Sequence, residues 1–190
     1  MIPSIKKFFL ISIIIFSYTF TFAQDAKLTN IIVTNTADDL LIYLNVEGAF
    51  KDEMEKAILS GVSATFSFLI KLDRIRSFFP DKEVVDIKVS HAIKYNSLKK
   101  EFIVTRSWEN NKPFITSSFK DAQKFISEIN GLRIVPVYML EKGRQYQISV
   151  KAELSKVKLP LYLHYIFFFV SLWDFETDWY TIDFVYKLLG

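Results

Sequence analysis

Three acidic side chains near the C-terminus are the first candidates for chemistry. Asp174, Glu176 and Asp178 occupy every second position of WDFETDW, the spacing that opens a calcium-binding loop. Such a loop also needs glycine at its sixth position and glutamate at its twelfth, and these positions hold Trp179 and Val185. A calcium loop is therefore excluded. On an extended segment the acids share one face, which predicts a solvated strand edge or, alternatively, a weak site for a cation or a basic partner.

Aromatic residues occupy the other face of this segment. Trp173 and Trp179 alternate with the acids, so a strand would direct both indole rings into the core. The uncharged residues before Trp173 reach back to Leu159 and include Phe168. As a helix they would span ~22 Å, at ~1.5 Å per residue, against a hydrocarbon core of ~30 Å. Residues 161–173 are thus predicted to be protein core with some aromatics lining an apolar groove; a membrane-surface helix is the alternative.

The chain contains 2 histidines. His91 falls on the apolar face of an alternating segment, which predicts a buried, hydrogen-bonded, structural side chain. His164 falls between Leu163 and Tyr165 in the most apolar stretch. There it is positioned to hydrogen-bond an acid such as Asp174, or to serve a pocket.

No motif for catalysis accompanies these residues. The chain has no Gly-x-Ser-x-Gly elbow, no His-Glu-x-x-His pair and no glycine-rich phosphate loop. We therefore assign no catalytic residue, no metal ligand and no cofactor. Together with tyrosine and tryptophan side chains, four arginines are candidates for an anion or sugar site, with ordinary surface positions as the alternative: Arg74, Arg76, Arg106 and Arg144.

The predicted ligand-binding site consists of His164, Phe168, Trp173, Asp174, Glu176 and Trp179. It combines aromatic surfaces with a few polar groups, as sites for apolar ligands do. We expect the partner to be an apolar ligand, a lipid or an envelope protein, and the protein to be a non-enzymatic binding or interaction module. The alternative is an envelope enzyme with a histidine–carboxylate site between His164 and Glu176.

The N-terminal residues have the three parts of a secretory signal. Two lysines precede an uncharged apolar run, and Ala23 is the small residue before a cut at Gln24. Residues 1–23 are predicted to be a signal peptide and residues 24–190 a single β-rich domain. The mature protein would then be soluble, without a transmembrane span, and periplasmic or secreted. An uncleaved membrane anchor is the alternative.

Composition excludes several classes of function. The formal net charge is only +3, which argues against a nucleic-acid partner because such partners select a strongly basic face. With 0 cysteines, disulfides, thiolate metal sites and thiol catalysis are excluded. The 19 phenylalanines predict an aromatic core or an apolar cavity.

Alternation of apolar and polar residues is the main structural signal. It predicts strands over residues 31–33, 40–46, 65–72, 84–95, 102–108, 146–154 and 180–186. Helical spacing predicts helices over residues 50–60 and 118–131. We expect a mainly β or α+β fold, an antiparallel sheet or sandwich of about eight strands with two or three short helices.

Several runs are similar to those of a known family. SGVSATFSFLIKLDRIRSFFPDKEV (residues 60–84), ELSKVKLPLY and SLWDFETDWYTIDF resemble the domain-of-unknown-function family 4390. Ser63 stands where the family usually has proline. The resemblance implies an exported bacterial protein with a signal peptide and one domain, and an accessory role in an envelope sensing system. It implies no activity and no site residue.

Overall fold

The computed structural model describes residues 26–50, 52–155 and 176–187. Within these residues the chain forms nine strands, two α-helices and two short 3-10 turns. In chain order they are β1 (Lys27–Asn35), β2 (Asp39–Glu47), α1 (Asp52–Leu59), β3 (Ala64–Arg74), β4 (Lys82–Asn96), β5 (Glu101–Arg106), a 3-10 turn (Ser107–Glu109), β6 (Phe114–Thr116), α2 (Phe119–Ser127), β7 (Glu128–Pro136), a 3-10 turn (Val137–Met139), β8 (Gln145–Ser155) and β9 (Tyr180–Val185).

The strands form two antiparallel sheets. The three-stranded sheet has the order β1-β2-β7, and the six-stranded sheet has the order β6-β5-β4-β3-β8-β9. Side chains from both sheets and both helices belong to one hydrophobic core. The prediction of a mainly β, antiparallel fold is confirmed, with nine strands in the described residues where the sequence predicted about eight.

β3 and β8 lie in the middle of the larger sheet and supply much of the core. Phe66, Phe68, Ile70 and Leu72 alternate along β3 and are fully buried, because every second side chain of a strand points to the same face. The facing positions of β8 are Tyr146, Ile148, Val150, Ala152 and Leu154, all buried. Burying a Leu, Ile or Phe side chain contributes about 1.5–3 kcal/mol. Alternation in the sequence therefore locates the central strands correctly.

A tight turn joins β1 to β2. The hydroxyl of Thr36 accepts hydrogen bonds from the backbone N–H groups of Asp38 at 3.2 Å and Asp39 at 3.0 Å, which closes the turn. Farther back, the register of β1 against β2 shifts around Asn30, whose φ is 52°. This bulge bends β1 and increases its twist.

α2 ends earlier than the sequence predicts, and a strand follows it directly. The predicted cap is confirmed: the Ser118 hydroxyl accepts a hydrogen bond from the N–H of Asp121 at 3.2 Å. The helical spacing of apolar residues continues to Ile129, but α2 ends at Ser127 and Ile129 lies in β7. The predicted helix is wrong over this part. Pairing with β7 satisfies backbone groups of β2 that would otherwise be buried without partners.

Gly131 lies within β7 rather than at a helix end. Its φ is 79°, and a Cβ at this position would lie 3.3 Å from the hydroxyl oxygen of Tyr43. Glycine therefore permits both the backbone conformation and the close approach of the Tyr43 side chain on β2.

The sandwich has two distinct ends along its strands. At one end Arg74 of β3 pairs with Lys82 of β4, and the loop between them forms the tip of the molecule; we name this the tip end. At the other end lie Ser155, the last residue of β8, and Glu176, which pairs beside β8. Ala26 lies against residues 176–180 there, and we name this the base end.

No helix in the described part of the chain is long and apolar enough to cross a membrane. The apolar residues 161–173, predicted to be core, lie outside the described residues. That prediction stays a prediction.

Candidate functional site

Four of the six predicted site residues lie outside the described residues: His164, Phe168, Trp173 and Asp174. The hypotheses that depend on them, including the alternative of an envelope enzyme, stay predictions. Glu176 and Trp179 are described and lie at the base end, just before β9 begins.

Thr177 fastens this stretch of chain to β8. Its N–H donates to the carbonyl of Ala152 at 2.8 Å, and its hydroxyl accepts from the N–H of Ala152 at 3.0 Å. Thr177 is buried, whereas Glu176 is exposed and its Oε2 accepts a hydrogen bond from Nζ of Lys151 at 2.9 Å. An exposed ion pair of this kind contributes only about 0–1 kcal/mol. The alternation read from the sequence therefore orients both residues correctly.

Trp179 does not follow that alternation. Its side chain is 44% exposed, so the prediction that the indole turns into the core is wrong. The reason is that β9 begins only at Tyr180, and the residues between Thr177 and Tyr180 are not part of a strand. Nζ of Lys71 lies 5.6 Å from the ring centroid, within range of a cation–π interaction. A half-exposed indole offers apolar surface to a ligand.

Among the described residues β1 and β9 are edge strands of the two sheets, and a groove runs between them. Its part at the base end has a volume of about 390 Å³ and lies between residues 26–28 and 176–180. Its part nearer the tip end has a volume of about 430 Å³ and lies between residues 31–35, with Leu40, and residues 182–187. We name the two parts together the seam groove. Each volume is in the range of known ligand sites.

The floor of the seam groove is apolar. Ile31 and Val33 of β1 and Ile182 and Phe184 of β9 are half-buried and pack against the hydrophobic core. The ring of Phe184 stacks on that of Tyr146, with the centroids 5.9 Å apart. Half-burial leaves apolar surface in water, and an occupant that covered it would be bound by the hydrophobic effect.

The β9 wall of the seam groove exposes backbone hydrogen-bonding groups. The N–H of Tyr186 donates to the carbonyl of Arg144 at 3.0 Å, so alternate residues of β9 bond to β8 and those between them face away. The N–H and C=O groups of Thr181, Asp183 and Val185 therefore point out of the sheet. Among the described residues, no strand pairing joins β1 to β9.

Charge differs between the two parts of the seam groove. The base end contains two acids, Glu176 and Asp178, together with Lys27. The part nearer the tip end contains a single charged side chain among the described residues that line it, Lys187. The groove is therefore more negative at the base end and positive at its other end.

The opposite side of the sandwich is closed by α2. The last carbonyls of a helix lack partners within it, and here side chains of the larger sheet bond to them. Nδ1 of His91 lies 2.8 Å from the carbonyl oxygen of Ile126, and Nε1–H of Trp108 donates to Nε2 of His91 at 3.0 Å. Since Nε2 accepts, Nδ1 carries the proton and donates to Ile126. Both ring nitrogens are occupied, and the predicted buried, hydrogen-bonded position of His91 is confirmed.

Burial lowers the pKa of His91 to about 4. The hydrogen bond to Ile126 acts in the opposite direction, and the positive charge of Arg106 lowers the pKa further. The ring is therefore uncharged at neutral pH. With both nitrogens engaged, it has none left for a substrate or a metal ion.

Arg106 is buried, not at the surface as arginines ordinarily are. Its Nε and Nη2 donate to the carbonyl of Phe125 at 3.1 and 2.6 Å, and its guanidinium lies 3.5 Å from the centroid of the Phe125 ring. Glu109 at 3.0 Å and Glu128 at 3.3 Å balance its charge. A cation at this position also interacts favourably with the negative end of α2. Its burial could have been predicted from the sequence, because Arg106 follows Val104 by two residues and therefore lies on the same, inward face of β5.

Within residues 26–50, 52–155 and 176–187, no group of three or more histidine, cysteine, aspartate or glutamate side chains could hold a metal ion. The seam groove instead offers an apolar floor, a free backbone edge and a few charges. Sequence reasoning placed its strands but not the groove, because the sequence does not show which strands remain at the edges of the sheets. Such an arrangement suits the binding of an extended chain.

Comparison with known proteins identifies a family. Residues 23–183 match the family described as "Domain of unknown function (DUF4390)", and the chain belongs to this family. The resemblance read from residues 60–84 and from the later runs is thereby confirmed. A search of curated proteins and a search of solved structures each found no match.

Proposed function

We propose that this protein is an exported, non-enzymatic binding module that receives an extended segment of polypeptide in the seam groove. The observation that carries the proposal is the apolar floor between β1 and β9, which are both edge strands in the part of the chain that the structure describes. A strand added to such an edge gains backbone hydrogen bonds, and its alternate side chains gain apolar burial.

The direction of the occupant follows from the strands and the charges. β1 and β9 both run from the base end to the tip end, so a strand antiparallel to both runs the other way. The beginning of such a strand lies near Lys187 and its end near Glu176 and Asp178. Charge complementarity therefore favours a segment with an acidic residue at its start and a basic residue at its end.

Export to the periplasm or beyond is part of the proposal. It is supported by the N-terminal sequence, in which two lysines and an uncharged apolar run precede Ala23. In that compartment the occupant is a segment of an envelope protein. The family resemblance supports an accessory role in an envelope sensing system.

A pair of substitutions at Asp183 tests the proposal. Asp183→Pro removes an N–H that faces away from β8, and proline is tolerated in edge strands at such positions. Asp183→Ala keeps the N–H, and both variants lose the same hydrogen bond from Gln147. We expect the proline variant to lose peptide binding and the alanine variant to retain it, with both proteins folded by circular dichroism.

The probe is a labelled peptide of alternating valine and threonine with glutamate at its start and lysine at its end. Binding is measured by fluorescence anisotropy, and the peptide with the two charges exchanged serves as the control. The forward peptide should bind more tightly. Equal binding of the forward peptide by the proline and alanine variants would refute strand addition, and no binding by the parent protein would refute the seam groove as a polypeptide site.

A further inference from the structure

The loop between β3 and β4 exposes two adjacent phenylalanines at the tip end. Phe78 is 93% exposed and Phe79 is 71% exposed. Loops of this kind are ordinarily polar, and a pair of large aromatic side chains in water is a liability unless something covers them. The seam groove does not explain them, since neither residue lines it.

Two hydrogen bonds of Arg76 fix the loop conformation in which these rings are exposed. The backbone N–H of Arg76 donates to Oδ1 of Asp81 at 3.0 Å, and its Nε donates to the carbonyl of Pro80 at 2.8 Å. These bonds close the loop beneath the phenylalanines. The N–H of Ile75 also donates to the carbonyl of Gln145 at 3.0 Å, which ties the loop to β8. These three hydrogen bonds hold the loop in a conformation that keeps both rings in solvent.

Further apolar side chains lie at the same end. Tyr138, 84% exposed, and Met139 belong to the 3-10 turn that leads toward Gln145, the residue bonded to Ile75. This end therefore carries exposed apolar side chains on two neighbouring turns, and Phe78 is the most exposed of them. The shape of this end is convex, because the phenylalanines stand on a hairpin loop that extends past the paired strands.

Cations flank the phenylalanines on both sides in the chain. Arg76 precedes them, and Lys82, also exposed, follows them. Asp81, which is also exposed, accepts the N–H of Arg76, and the exposed Glu83 follows Lys82. On the neighbouring turn, Glu141 forms ion pairs with arginines of this end. The loop therefore presents two aromatic rings with a cation on each side of them, and two acids lie beside those cations.

We propose that this tip docks on a lipid surface, inserting Phe78 and Phe79 among the headgroups while Arg76 and Lys82 contact anionic phosphates. Phenylalanine side chains on membrane-binding surfaces are buried at the boundary between headgroups and acyl chains, and cations near that boundary are attracted to acidic lipids. A protein partner would have to supply a pocket shaped to a convex pair of rings. A bilayer surface accepts such a tip without a matching shape.

The absence of cysteine in the chain permits a direct test. A single cysteine at Phe79→Cys, labelled with an environment-sensitive dye, reports insertion in the full chain. The control is Leu98→Cys, because Leu98 is 95% exposed in the β4–β5 turn at the base end. With vesicles that contain phosphatidylglycerol, we expect blue-shifted emission and protection from an aqueous quencher for the dye at position 79 only.

A second measurement uses vesicle co-sedimentation. The double variant Phe78→Ser with Phe79→Ser should bind phosphatidylglycerol vesicles at least about tenfold less tightly, and Leu98→Ser should match the parent. Lys82→Gln should weaken binding to these vesicles but not to vesicles of phosphatidylcholine alone. A dye at position 79 that stays in water, or a serine variant that binds as the parent does, would overturn the proposal. If envelope protein protected the dye and vesicles did not, the partner of the tip would be a protein and not a lipid surface.

Discussion

The two sides of this sandwich are built differently. On one side α2 passes between the sheets, and His91 and Arg106 of the larger sheet bond to its last carbonyls. On the other side β1 and β9 stand apart, with no strand pairing between them in the described residues. The closed side satisfies these polar groups internally, whereas the open side, as far as the described residues go, has outward-facing backbone groups on β9 and half-buried apolar side chains. The polar contacts that hold α2 in place and the proposed binding site thus lie on opposite sides.

Phenylalanine truncation should show the largest difference between the two sides. Phe68, fully buried against the His91 ring, belongs to the closed side, and Phe68→Ala should lower the free energy of unfolding by about 3–5 kcal/mol. Phe184 on the open side is only half-buried, so Phe184→Ala should cost about 1–2 kcal/mol. Urea denaturation of both variants measures the two costs. Equal costs would mean that the open side is as well packed as the closed one.

Arg106→Met should lower the free energy of unfolding by about 3 kcal/mol. The substitution leaves the carbonyl of Phe125 and two partly buried carboxylates without their partner, and such losses are expensive. Arg133→Met is the control, because the Arg133 side chain is 79% exposed and its ion pair with Asp39 contributes about 0–1 kcal/mol. The comparison fails if both variants have the same urea midpoint.

The closed side should also lose stability in acid. The pKa of His91 is about 4 in the folded protein, against 6.5 for an unperturbed histidine such as that of the unfolded chain. Between these two pH values the unfolded chain therefore binds more protons than the folded protein. The contribution of the neutral ring is therefore complete above about pH 6.5, and about 3 kcal/mol is lost as the pH falls to 4.

His91→Gln isolates this effect. The variant should be less stable at neutral pH by roughly 1–3 kcal/mol, because its side chain cannot reproduce both hydrogen bonds. Its free energy of unfolding should change less between pH 6.5 and 4 than that of the parent. Parallel pH profiles for the two proteins would show that another group is responsible.

Asp178→Asn on the open side should have the smallest effect, within about 0.5 kcal/mol. Asp178 is exposed at the base end of the seam groove, and removing its charge should weaken binding of the peptide with a terminal lysine instead. Thermal melts and the anisotropy assay separate the two outcomes. A large drop in melting temperature would mean that Asp178 supports the fold.

The sequence correctly predicted the strands that have one apolar, buried face and one more polar, exposed face. Along β3, Phe66 and Phe68 alternate with polar or less buried residues, and this period identifies both the strand and its inward face. β7 was missed because Ile129 continues the helical spacing of α2, while the register that makes it a strand is set by β2, far away in the chain. Local spacing could not reveal that partner.

The candidate site was predictable only in part. His91 was recognised because a histidine on an apolar strand face must be hydrogen-bonded. Trp179 was misjudged because alternation was extended beyond the point where strand pairing ends. The seam groove depends on which strands stay unpaired, and this is decided by the order of strands in the sheets. That order arises from contacts between distant residues.

The order of strands in the two sheets also limits the rate at which the protein folds. The central pairings, such as Asp39 with Pro136 and Thr65 with Ser155, join residues far apart in the chain. Folding is slow because the entropy of these long loops is lost before the stabilising contacts form. Domains rich in β-structure fold in roughly milliseconds to seconds. The smaller sheet cannot be completed until β7 has been synthesised, and the larger sheet not until β9 has been synthesised. The export proposed above would gain from this delay, since a slowly folding chain stays extended while it crosses a membrane.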